Sequence, residues 1–184
     1  MDWKETRSHR EVVIEIIETE KAKIIAEIGV WKSGLAKTIL RKCANIITEY
    51  WGIDPWKDYD SYEEFEPNME RYEKTTPEGW ENAYFYACRL MYYFPQLHIV
   101  RGIPVRAAKL FSPEHFDLVF IDADHRYEGA LTDIKTWLPL VKKGGILSGH
   151  DYKPSHPGVM KAVDEIIGKD ITIVRDGSVW VKRI

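Results

Sequence analysis

Five side chains with the capacity for acid–base and metal chemistry fall in two short stretches of the chain. Asp122, Asp124 and His125 follow the apolar run Phe116 to Ile121, and His150 and Asp151 follow Gly144-Gly145 and a second apolar run. Carboxylate oxygens at Asp122 and Asp151 are hard donors suited to Mg²⁺, Mn²⁺ or Ca²⁺. A histidine beside them is the usual proton acceptor near neutral pH. A second group lies earlier, where Glu27-Ile28-Gly29-Val30-Trp31-Lys32-Ser33-Gly34 and Asp54-Pro55-Trp56 each end a short apolar segment. Glycines there allow a ligand to approach the backbone closely. The turn lacks the G-x-G-x-x-G spacing of a dinucleotide site, and Glu27 would repel a diphosphate. A carboxylate at Glu27 instead favours a ligand carrying an ammonium and a sulfonium. Asp54 suits the two hydroxyls of a ribose, and Trp56 the face of an adenine. Together they favour an adenosine ligand without phosphates, a description that S-adenosylmethionine fits.

These residues need strands that end on a common rim. The pattern from Lys23 onward alternates short apolar runs with amphipathic segments, which predicts a parallel sheet covered by helices on both faces. Strands are expected at 23–28, within 46–53, and at 97–100, 116–121 and 146–149. A closing pair, 171–174 and 179–181, is expected around Asp176-Gly177. Ligands bind beyond the carboxyl ends of such strands, and that is where Asp122, His125, His150 and Asp151 would meet. Ser8 is expected to cap a helix whose stripe is Val12, Val13, Ile16 and Ile17, packed on a sheet edge or on a second subunit. Thr76-Pro77 opens a helix with a stripe of Trp80, Ala83, Tyr84, Ala87, Leu90 and Met91. Residues 57–76 read as a long acidic and aromatic loop of the kind used as a lid.

Bulk properties bound the function. The chain has 184 residues, 45% apolar and 30% charged, ordinary for one soluble globular domain spanning 1–184. A net charge of −3 implies no broad basic face for a nucleic-acid backbone. No apolar run approaches the ~20 residues of a membrane span, and the N-terminus is a poor signal peptide. The two cysteines, Cys43 and Cys88, form neither a metal pair nor a disulfide framework, which suits a cytoplasmic protein.

The segments AEIGVWKSG, YWGIDPW, IVRG, FDLVFIDADHRYEGALTDI and LVKKGGILSGHDY, in this order, resemble a class I S-adenosylmethionine-dependent methyltransferase. The resemblance is to the small-molecule O-methyltransferase branch that includes the macrocin and mycinamicin and the caffeoyl-CoA and catechol types. It runs from about Ile24 to Val163. It implies a Rossmann-like, doubly wound sheet of seven strands, mostly parallel with the last antiparallel. It implies cofactor contacts at Glu27, Gly29, Gly34 and Asp54, and Trp31, Trp56, Gly102 and Asp122 are further candidates for that site. The metal-dependent members hold Mg²⁺ or Mn²⁺ at residues matching Asp122 and Asp151, with His150 as a further ligand here, and the base of the macrolide-sugar enzymes falls at His125. The acceptor would be a small hydroxylated molecule such as a sugar or polyphenol, with no nucleic-acid or membrane partner, and relatives often form a homodimer.

Other readings stand beside these. Asp122-Ala123-Asp124 is also a D-x-D after a strand, as in metal-dependent glycosyltransferases, and a non-catalytic S-adenosylmethionine-binding domain is a further alternative. Asp124 is read as a helix cap, and His125 has a structural alternative as donor to a nearby carboxylate or carbonyl. Trp31 and Trp56 divide between packing and ligand contact. Lys142-Lys143 reads as a solvated helix end. His9, His98, His115 and His156 fall in no pattern.

Overall fold

A computed structural model describes residues 8–57, 76–174 and 178–184. The lid expected at 57–76 and the turn at Asp176-Gly177 lie almost wholly outside these residues. Seven strands form one sheet: β1 (Ile24–Ile28), β2 (Glu49–Asp54), β3 (Leu97–Arg101), β4 (Phe116–Ile121), β5 (Val141–Gly149), β6 (Thr172–Val174) and β7 (Val179–Arg183). Their order is β3-β2-β1-β4-β5-β7-β6. The β1–β2, β1–β4, β2–β3 and β4–β5 pairs are parallel, and β7 runs antiparallel to both β5 and β6. The expected seven-stranded sheet with an antiparallel last strand is therefore present. The order reverses at β1–β4, the switch point where the crevice of an open sheet lies.

Six helices cover the two faces: α1 (His9–Glu20), α2 (Gly34–Cys43), α3 (Pro77–Tyr93), α4 (Pro104–Ala107), α5 (Tyr127–Trp137) and α6 (Pro157–Ile166). Period-two alternation sorts the strand residues between them. Ile25, Leu118 and Phe120 pack with α1, α2 and the end of α3, whereas Ala26, Ile28, Val119 and Ile121 pack with α4, α5 and α6. Ser8 caps α1 in a capping box with Glu11, and Thr76 caps α3 with Pro77 in its first turn, as the sequence predicts.

Four expectations need correction. α1 lies on a sheet face, not at an edge: Val12, Val13, Ile16 and Ile17 are buried against Ile25, Leu118, Ile146 and Val181. Met91 is exposed and leaves the α3 stripe, in which Ala83, Ala87 and Leu90 are buried and Trp80 and Tyr84 pack partly buried beside them. β5 begins at Val141, five residues earlier than expected. An irregular register between Phe116 and Leu118 absorbs the glycines, and Gly144 and Gly145 bond to the backbone of Ile184. Lys142 is consequently no helix end. It sits in β5 with its ammonium 2.7 Å from Asp117 Oδ1.

Candidate active site

Backbone strain marks the carboxyl rim of the sheet. Trp31, Ser33, Trp56 and Asp151 all take left-handed φ values between 44° and 58°, and elsewhere among the described residues only Lys21 and Glu114 do so. Such conformations cost roughly 1–3 kcal/mol each and persist where the surroundings impose them. Gly29, with φ of 92°, is required by close approach: a Cβ there would stand 2.0 Å from the carbonyl oxygen of Asp122. The tips of β1 and β4 are thus pressed together, held by Asp122 N–H donating to Ile28 O at 2.8 Å.

On the β1 side, Glu27 is 2% exposed. Tyr50 OH donates to its Oε2 at 2.7 Å. Burial pushes the Glu27 carboxyl up to about 8, with the Tyr50 hydrogen bond opposing and the charges of Asp122 and Asp54 adding to the rise. Ordinary glutamates titrate near 4.3, so at neutral pH this one carries its proton, mainly because it is buried.

At the β4 and β5 tips the carboxylates are matched. His125 Nε2 lies 2.9 Å from Asp151 Oδ2 and 3.5 Å from Asp122 Oδ1. His150 Nδ1 lies 3.3 Å from Asp151 Oδ2 and 3.7 Å from Asp122 Oδ1. Lys153 Nζ reaches Asp151 Oδ1 at 2.7 Å. Burial alone would raise Asp122, but the hydrogen bonds and charges of His125 and His150 outweigh it and bring the carboxyl to about 2. Burial would likewise lower both imidazoles, yet the hydrogen bonds to Asp122 and Asp151 lift each to about 9. Asp151, with three cations around it, is held well below the usual carboxylate range against its own burial. Asp122, His125, Asp151 and His150 therefore form one half-buried, charge-balanced cluster on the rim where the sequence placed them. Ile121, Ala123, Ala130, Ile134, Val159 and Trp180 wall a small hollow beside it.

The donor set suits a divalent cation. Ligand atoms of Asp122, His150 and Asp151 all lie within 4.8 Å of one another, and so do those of His125, Asp151 and His156. Two carboxylates with imidazoles make a mixed oxygen–nitrogen site of the type Mn²⁺ and similar ions accept.

Other expected residues take different positions. Asp54 is buried with both oxygens committed to backbone: Oδ2 accepts from Val30 and Trp31 N–H at 2.9 and 2.8 Å, and Oδ1 from Trp56 N–H at 2.6 Å. It joins the turns that follow β1 and β2 to each other. Trp56 is 1% exposed and packs with Val30, Ala83 and Ala87, and its indole N–H donates to Trp31 O at 2.9 Å. Its ring is core, whereas Trp31 is 48% exposed at the rim. Gly102 ends β3, and its N–H donates to Asp54 O at 3.0 Å with open space above its Cα. Gly34 opens α2. Asp124 braces the turn before α5, accepting from Arg126 N–H at 2.9 Å and pairing with the Arg126 guanidinium at 2.7 Å.

Three residues without a sequence pattern join the site. His156 stands T-shaped on His125 with ring centroids 4.9 Å apart, and His9 lies 4.9 Å from the His150 ring. Arg10 reaches the first turn of α2. Nothing local distinguished them. His9 and Arg10 arrive from a helix more than a hundred residues away in the chain from His150.

Residues 26–152 match the family model of a methyltransferase domain. The curated "Uncharacterized protein R132" of Acanthamoeba polyphaga mimivirus is 37% identical over 57 residues, which cover 30% of this chain and 26% of that protein. The chain thus matches about a quarter of that relative. Among solved structures, the S-adenosylhomocysteine (SAH)-bound Podospora anserina methyltransferase PaMTH1 superposes with a TM-score of 0.67 at 16% identity, over 99% of this chain and 80% of that one. The O-methyltransferase NovP gives 0.64 at 20% identity, over 95% and 78%. The TDP-rhamnose 3'-O-methyltransferase CalS11 gives 0.63 at 15% identity, over 97% and 81%. These likenesses establish a shared fold.

Proposed function

The chain belongs to the methyltransferase-domain family, and from that premise we propose that it transfers the methyl group of S-adenosylmethionine to an oxygen of a small hydroxylated acceptor, a sugar or a polyphenol. The observation that carries this reading is the pairing of two unlike sites on adjoining strand tips. Glu27 is a buried acid lacking a cation, and Asp122, His125, His150 and Asp151 lie one strand and two strands further along the rim.

In this reading Glu27 receives the ammonium of the methionyl group, and the turn at Gly29 lets the ligand lie against backbone. The acceptor hydroxyl approaches His125, whose imidazole takes its proton. S-adenosylmethionine, when bound, would supply the methyl group to that oxygen, the carbon–sulfur electron pair staying on sulfur in the departing S-adenosylhomocysteine. Asp122 and Asp151 stabilise the imidazolium that results. Asp122, His150 and Asp151 are the residues that would hold a divalent ion, which lowers the pKa of a neighbouring hydroxyl when bound. The glycosyltransferase reading of Asp122-Ala123-Asp124 loses its second ligand, because the Asp124 carboxylate is already taken by Arg126.

The test is a calorimetric titration with S-adenosylmethionine, followed by transfer from a methyl-labelled cofactor to a panel of sugars and polyphenols. Binding with label appearing in an alkali-stable ether is expected. No heat at millimolar cofactor would end the proposal, and binding without transfer to any acceptor would reduce it to a ligand-binding domain.

A further inference from the structure

S-adenosylmethionine ends in both an ammonium and a carboxylate, and Glu27 answers only the first. The second needs a cation or a set of free N–H donors nearby. Arg10, on the first turn of α1, lies against the start of α2, the helix that follows the Glu27 turn. A Cβ built on Gly34, the first residue of α2, would stand 2.7 Å from the Arg10 terminal nitrogen Nη2. The guanidinium therefore lies directly over this helix start. Arg10 makes no hydrogen bond or ion pair among the described residues, and its charge is felt at Glu27, whose carboxyl it draws downward. The α2 terminus beneath it has no side-chain cap. Ser33, the residue before Gly34, is 1% exposed and its hydroxyl has no hydrogen-bond partner. A spare guanidinium thus lies over an uncapped helix start that directly follows an orphaned buried hydroxyl. Each would be satisfied by a carboxylate.

We propose that Arg10 binds the carboxylate of the cofactor's methionyl end, with Ser33 and the first turn of α2 completing the contact, so that Glu27 and Arg10 together read the ligand as a zwitterion. This rests on the cofactor reading above and adds a residue that lies outside residues 26–152, the stretch matched by the family model. It also gives a use to α1's place on the sheet face, which its buried stripe sets. Its first turn reaches both half-sites at once, with Arg10 over α2 and His9 against His150.

The experiment compares S-adenosylmethionine with its decarboxylated analogue by calorimetry on the full chain, using wild type, Arg10→Ala and Arg10→Lys, with a melting curve for each. Wild type is expected to prefer the carboxylate ligand. Arg10→Ala is expected to weaken S-adenosylmethionine binding by about 10- to 100-fold, the loss of a charge-assisted hydrogen-bond pair, while binding of the decarboxylated ligand changes less than about twofold. Arg10→Lys keeps the charge without the planar fork and should retain part of the preference. Equal losses for both ligands would make Arg10 a structural brace, and no loss or a gain for either would make it a cover over the pocket. Each of these results overturns the inference while leaving the cofactor reading intact. Wild-type protein binding neither ligand would overturn both. Should Arg10→Ala fail to fold, Arg10→Lys alone decides, since a wild-type ratio of the two affinities in that variant is incompatible with bidentate recognition.

Discussion

Glu27 and Asp122 are buried or half-buried acids on neighbouring parallel strands, and their surroundings drive them in opposite directions. Burial acts on both. Glu27 meets only a phenol and is pushed up to about 8, whereas Asp122 meets two imidazoles and falls to about 2. The difference lies in who supplies the positive charge. The β4–β5 corner carries its own cations in His125, His150 and Lys153. The β1 corner has none in contact, so a cationic ligand is the missing half of its ion pair. An uncompensated buried acid is costly to keep charged, and a ligand that restores the charge gains that energy on binding.

The largest break in this comparison should come from His125. Removing it by His125→Ala takes away the proposed base and one of the two imidazoles holding Asp122 and Asp151 ionised. Methyl transfer should fall by about 10²- to 10⁴-fold, while calorimetric affinity for S-adenosylmethionine stays within a few-fold. Loss of both together would move His125 from chemistry to scaffolding. The pH profile sharpens the point. With its imidazole at about 9, His125 holds a proton at pH 7 in the ligand-free protein. The kcat/KM of the free enzyme should therefore climb from pH 7 toward about 9, because the base must first be neutral. A profile already flat at pH 7 would show that another group takes the proton.

Substitution of the two acids by their amides comes next. Asp122→Asn removes a charge that two histidines surround and should destabilise the protein by about 1–3 kcal/mol at pH 7. Glu27→Gln replaces one neutral hydrogen-bonding group with another, so it should leave stability at pH 7 within about 0.5 kcal/mol while weakening S-adenosylmethionine binding by about tenfold or more. Urea denaturation of both variants reads the contrast directly. Equal destabilisation would mean that Glu27 is charged in the native protein.

The two corners also differ in how plainly the chain announces them. Strand β4 matches its expected bounds, because Phe116 to Ile121 is apolar, short and sharply ended by Asp122. The carboxylate–imidazole corner follows from it, since Asp122, His125, His150 and Asp151 are local to two strand ends and the sheet has only to make those strands neighbours. The β1 corner needs contacts that local sequence does not encode. Asp54 looks free at a strand end, yet three N–H groups from the two adjoining turns turn its carboxylate inward. Trp56 follows it into the core. Arg10 and His9 are invisible until α1 is known to lie on the face above β1 and β4, and its stripe is equally consistent with an edge. The early start of β5 was hidden for a similar reason. Lys142, Lys143, Gly144 and Gly145 have low strand propensity, and it is Asp117 and the backbone of Ile184, distant in sequence, that hold them extended.

The smallest expected effect is also the most discriminating between the corners, because it needs no ligand. A group whose native pKa exceeds its unfolded one binds more protons in the native state, so its contribution to stability disappears as pH rises through the native value. Glu27, raised to about 8, contributes in this way between about pH 4.5 and 8. His125 and His150, raised to about 9, contribute fully below about pH 6.5 and lose it by about 9. Asp122, lowered to about 2, acts in the opposite sense, but only well below pH 5. Glu27, His125 and His150 therefore pull the same way between about pH 6.5 and 9, whereas His156, which burial holds below its ordinary range, acts in the opposite sense only at lower pH, and the melting temperature should fall steadily from about pH 6.5 to 9. Glu27→Gln removes only the Glu27 share, so its melting curve should decline less between pH 6 and 8 and run parallel to wild type from 8 to 9, where the histidines alone remain. If the slopes are identical below pH 8, Glu27 is not held neutral by burial, and the cation it is waiting for is already supplied from within the protein.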